Sequence, residues 1–116
     1  RPSGLYLFAA VNDPSRLADP DATRIYCGDS VEVYVDDDGS FARPATYDTQ
    51  GTRQFVMAAP FDDVTPQQNG RVFRGTTSLG VWTGGTFRSF PTAGGYAVEA
   101  FVQAADLGLT TWTLTA

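Results

Sequence analysis

Carboxylates are the first side chains in this sequence that could do chemistry. They form four groups: Asp13, the Asp29/Glu32 pair, the Asp36-Asp37-Asp38 run and Asp48. An acid–base enzyme needs two carboxylates on one pocket, in surroundings that separate their pKa values. Glu32 and Asp36 share a face of an extended strand but stand about 13 Å apart along it. That is wider than a glycosidase pair, and no apolar setting marks either one as the acid. Turn-forming Asp residues and a solvated Glu account for these groups, and no catalytic residue is expected. Cation binding is a second possibility. Hard cations want several oxygens at short range. The string Asp36-Asp37-Asp38-Gly39-Ser40 offers three carboxylates and a hydroxyl beside a glycine turn. Asp36, Asp38 and Asp48 are the candidate calcium ligands, and structural calcium is the one cofactor expected. The run lacks the alternation and terminal Glu of an EF-hand loop, so a plain acidic turn is the competing reading.

Aromatic rings carry the next chemistry. The C–H face of a sugar stacks on an exposed ring, while nearby carboxylates and amides take its hydroxyls. Tyr26, Tyr34, Trp82 and Trp112 are candidates; Trp82, close to Gly84-Gly85, is the Trp expected to be exposed. Core packing is the rival role for each ring.

Composition removes several other functions. There is no His, which excludes His-based triads, most catalytic zinc sites and His-ligated haem. One cysteine, Cys27, permits neither an internal disulfide nor a cysteine-rich zinc site, and it is expected to be a half-buried filler. Net charge is −5, with eight Arg and no Lys, so neither nucleic acid nor an anionic membrane is an expected partner. No apolar run approaches the ~20 residues that cross a bilayer. A chain of 116 residues fits one domain, residues 1–116.

The elements that must position these groups read as strands. Gly4 to Val11 is apolar on both faces, which predicts a central strand. Val31, Val33 and Val35 make one face of the next strand, and Glu32, Tyr34 and Asp36 make a wet or functional one. Arg53 to Ala59, Val72 to Leu79, Val81 to Phe90 and Tyr96 to Val102 follow, with Gly94-Gly95 suited to a hairpin. Ala104 to Gly108 suits a helical turn, and Thr111 to Ala116 alternates again. About seven short strands punctuated by Gly and Pro predict an all-β antiparallel sandwich of jelly-roll or immunoglobulin-like type.

Three segments resemble carbohydrate-binding module family 9 and its sugar-binding relatives: GLYLFAAVNDP at 4–14, IYCGDSVEVYVDDDGS at 25–40 with RQFVMAAP at 53–60, and GGYAVEAFVQAADLGL at 94–109. The resemblance covers most of the chain, weakly between 61 and 93. It implies a non-catalytic β-sandwich that binds glucan or xylan chains and anchors a secreted or surface protein to polysaccharide. By position, Asp13 and Glu32 match its hydroxyl partners. Tyr26 stands where sugar-binding members carry a stacking Trp. The Arg expected after Q-F is Val56 here, so Arg53 would have to substitute. The family's second clamp Trp falls beyond Ala116 and its first strand before residue 4, which implies a domain truncated at both ends. Related sandwiches hold haem through Met with His or Lys; Met57 is the only Met, and neither partner exists, so haem is not expected. An uncapped sandwich exposes sheet edges. Other protein chains at those edges are therefore the alternative partners, in a structural subunit of an extracellular assembly that has lost sugar binding.

Overall fold

The computed structural model describes residues 4–19, 21, 24–36, 52–61, 70–74, 77–82 and 86–110. Their period-two alternation builds seven strands: β1 (Gly4–Asn12), β2 (Ser30–Asp36), β3 (Thr52–Ala58), β4 (Gly70–Arg74), β5 (Thr77–Val81), β6 (Thr86–Thr92) and β7 (Gly95–Gln103). All pairings are antiparallel. One sheet has the order β1-β7-β6 and the other β2-β3-β4-β5.

Both sheets turn their apolar residues toward a shared core, which makes the molecule a β-sandwich. Tyr96, Val98, Ala100 and Val102 of β7 are buried, as expected from their alternation, and pack with Phe55 and Met57 of β3 and Val72 of β4. Leu7 and Val11 of β1 and Val31, Val33 and Val35 of β2 close the core at its margins. Full burial of side chains this size contributes about 1.5–3 kcal/mol each, so the layer between the sheets dominates stability.

Two hairpins depart from the expected strand limits. Val72 to Leu79 is not one strand: Arg74 pairs with Thr77, so the chain reverses between β4 and β5, with a register shift at Val72/Phe73. The β6–β7 hairpin closes at the pair Thr92–Gly95, over Ala93 and Gly94. Gly95 is required there, because a Cβ would run into the carbonyl of Val11 and come within 2.6 Å of the amide of Asp13.

Two further expectations are corrected. β1 lies at the edge of its sheet among the described residues, and β7 is central. A strand apolar on both faces can be central, but Tyr6 and Phe8 of β1 face outward and are exposed. Cys27 is exposed rather than half-buried; the short 3-10 turn Ile25–Cys27 directs Ile25, not Cys27, into the protein. The turn expected near Ala104 is a 3-10 helix, Ala104–Leu107. Among the described residues, no helix is long and apolar enough to cross a membrane. The alternating segment Thr111 to Ala116, with Trp112, lies outside the described residues, as do Asp38 and Asp48.

Candidate functional site

The outer face of the four-stranded sheet gathers polar and aromatic groups that the core does not use. Strand pairing places Tyr34 beside Gln54 and Gln54 beside Phe73, one row across β2, β3 and β4. The next row on that face is Glu32, Val56 and Arg71. Neighbouring strands lie about 4.8 Å apart, so each row spans about 10 Å across the three strands.

Hydrogen bonds tie the polar members together. The Tyr34 hydroxyl donates to Glu32 Oε2 at 2.6 Å, and Gln54 Nε2 donates to the same oxygen at 2.9 Å. Gln54 Nε2 also lies 3.0 Å from the Tyr34 hydroxyl. A carboxylate can accept about four hydrogen bonds. Those two neighbours therefore hold Glu32 in one orientation with capacity left for a ligand hydroxyl. Tyr26 borders this network. Its ring meets Phe73 edge-on, 6.4 Å between centroids and 74° between planes, and the residue stays 54% exposed. The adjacent Ile25 is buried with Val56, Ala58 and Phe73 in a small apolar cluster. That cluster seats the turn on the sheet and so fixes where Tyr26 stands. Arg71 reaches Ser78 Oγ at 3.3 Å on the same side.

Asp13 lies elsewhere, in the loop after β1. Its Oδ1 accepts from the Ser15 amide at 2.9 Å and the Ser15 hydroxyl at 3.0 Å. These bonds, the backbone one foremost, hold its pKa below the ordinary carboxylate value. Asp13 lines an open groove of about 570 Å³ with Arg16 and the β6–β7 turn. Asp29, the Asp of the D-S-V-E string, braces the loop before β2. Its Oδ2 accepts from the Leu17 amide at 2.6 Å, and its own amide donates to the Leu17 carbonyl at 2.6 Å. Burial, with Asp29 and Asp13 nearby, raises the pKa of the Tyr96 hydroxyl.

The sequence profile described as carbohydrate family 9 binding domain-like matches residues 2–114. The chain belongs to this family. No curated protein and no solved structure matches the chain.

Within this family 9-like domain, the residues singled out from sequence separate. Tyr26 and Glu32 lie on the outer face of one sheet, with Gln54 and Phe73 between them. Asp13 has a different set of neighbours, Ser15 and Asp29. Arg53 does not join the face of Glu32. It alternates with Gln54 and its Nη2 donates to the Leu107 carbonyl at 3.1 Å, tying β3 to the 3-10 helix at the far side of the sheet. Trp82 packs in the core. It is 7% exposed, stacked on Phe87 at 5.3 Å and 6° and tilted against Phe55 at 5.0 Å; proximity to glycine did not outweigh the apolar surface it buries. Val56, after Q-F, points outward yet is fully buried beneath the Ile25 turn. Asp36 is exposed at the end of β2, while its proposed calcium partners Asp38 and Asp48 lie outside the described residues. Among the described residues no three His, Cys, Asp or Glu side chains are grouped to hold a metal ion. Sequence reasoning missed Gln54 and Phe73. Both alternate correctly for the outer face, but only the register with Tyr34 shows that they meet it.

Proposed function

We propose that this domain is a non-catalytic carbohydrate-binding module that anchors a secreted or surface protein to a glucan- or xylan-type polysaccharide. The observation that carries the reading is the Glu32–Tyr34–Gln54 network with Tyr26 at its border. Tyr26 offers a ring to the C–H face of a sugar, and the oriented carboxylate and amide offer hydrogen bonds to its hydroxyls. Family membership supports this chemistry. Glu32, Tyr34 and Tyr26 are exposed beside the turn that covers Val56, and the carboxylate is held by neutral donors, an arrangement suited to holding a ligand rather than transferring protons. Affinity at one such site is modest, and multiple modules on one protein would supply avidity.

Calorimetric titration with cello- and xylo-oligosaccharides, repeated with Tyr26→Ala, tests the proposal. Binding that weakens in the variant supports it; no heat above dilution for any glycan removes it. A structural subunit that has lost its ligand is favoured by one observation, the burial of Val56 where sugar-binding members carry Arg. That reading predicts no glycan binding together with concentration-dependent association. Structural calcium through Asp36, Asp38 and Asp48 is a further proposal. A melting temperature raised by calcium and lowered again by a chelator supports it, and indifference to both removes it.

A further inference from the structure

The three-stranded sheet carries a second exposed face. On the outer side of the three-stranded sheet, β1–β7 pairing sets Tyr6 beside Phe101 and Phe8 beside Glu99. Pairing of β7 with β6 adds Thr86 to the first row and Arg88 to the second. The rows lie about 7 Å apart along the strands. Tyr6 and Phe8 are 70% and 69% exposed. The rings of Tyr6 and Phe101 are 4.4 Å apart and tilted by only 30°. Gly4 makes this arrangement possible: a Cβ there would run into the Phe101 ring, so the ring lies along β1. A shallow groove of about 200 Å³ runs between Tyr6, Phe101, Thr86, Arg88 and Glu99.

From this geometry we infer a second saccharide-binding surface, built on Tyr6, Phe8 and Phe101 with Thr86, Arg88 and Glu99 as hydroxyl partners, that takes the flat face of an extended polysaccharide chain. The mixture of side chains selects this occupant. The core of a protein–protein interface is depleted in acidic residues. Here a carboxylate, Glu99, stands on the central strand between Phe8 and Arg88, with Arg88 and Thr86 along the β6 end of the two rows. A pyranose needs both kinds of contact, a ring under its C–H face and donors and acceptors for its hydroxyls. The surface shares no residue with the Tyr26 face, so the two can fail separately.

The test compares retention of the 116-residue chain on insoluble cellulose and insoluble xylan with calorimetric titration by cellotetraose and xylotetraose. Tyr6→Ala/Phe8→Ala is expected to weaken retention about tenfold, at a few-fold per ring, and to leave the tetraose titrations unchanged. Glu99→Gln, which keeps every ring, is expected to weaken retention several-fold. Tyr26→Ala/Glu32→Gln should lose tetraose affinity and keep the part of the retention that the second surface supplies. Tetraose binding unchanged in that last variant would defeat the Tyr26 reading alone. The second surface is overturned if Tyr6→Ala/Phe8→Ala is retained like wild type. It is equally overturned if wild type is retained on neither polymer, or if sedimentation shows a dimer that Tyr6→Ala/Phe8→Ala dissociates.

Discussion

Behind β2 and β3, polar groups lead and a ring borders them: Glu32, Tyr34 and Gln54 bond to one another, and Tyr26 stands at their margin. Behind β1 and β7 the order is reversed, with Tyr6, Phe8 and Phe101 in the rows and charged residues interspersed. Both faces arise from the same device, the alternation that sends every second side chain away from the core. The difference lies in how each face is fixed. On the first, hydrogen bonds orient a carboxylate and a buried turn seats the ring. On the second, a missing Cβ at Gly4 lets one ring lie against the next strand. A shared scaffold can therefore present a directional polar site and a flatter apolar one without any change of fold.

The largest test of this comparison removes what the faces share. Phe55→Ala empties a fully buried position between the sheets and should cost about 3–5 kcal/mol. Urea unfolding would show the lost stability, and both faces should lose binding together. Glu32→Gln should separate them: tetraose affinity falls about tenfold, near 1.4 kcal/mol, while the melting temperature stays close to wild type. Arg53→Met sharpens the contrast further. It removes a partly buried bond to Leu107 and should cost about 1–2 kcal/mol of stability, yet tetraose affinity should not change. A drop in affinity there would return Arg53 to the ligand set.

The smallest effect is electrostatic. The Asp13 pKa is depressed in the folded state, so any stability it contributes is present above the unfolded carboxylate value and is lost as pH falls through the folded one. Ser15→Ala deletes the hydroxyl donor and keeps the amide, which should move the Asp13 pKa part of the way back up. Carboxylate chemical shifts followed between acid and neutral pH would measure it. Affinity at the Tyr26 face should not respond, because Asp13 and Glu32 have different neighbours.

The strands were legible in the sequence because alternation leaves a direct imprint. Val31, Val33 and Val35 could only face a core, and so could Tyr96, Val98, Ala100 and Val102. What faced outward was harder to read. Trp82 stands near glycines but packs on Phe55 and Phe87, and no local signal reveals partners brought in by other strands. Arg53 and Gln54 differ by one position, and one position exchanges core side for open side. The two-sided apolarity of β1 fits a central strand as well as an edge strand whose outer rings remain exposed. Motif position singled out Tyr26 and Glu32, and the strands place both on one outer face. The network that completes their face depends on register between strands well separated along the chain, which the sequence does not display.

On the proposed function, sugar docks on the outer face of the four-stranded sheet. Amide chemical-shift mapping of the isotope-labelled domain during titration with cellotetraose or xylotetraose tests it most directly. Saturable shifts centred on Tyr26, Glu32, Tyr34, Gln54 and Phe73 are expected. Shifts confined to any other surface, or no shifts with either sugar, would contradict it.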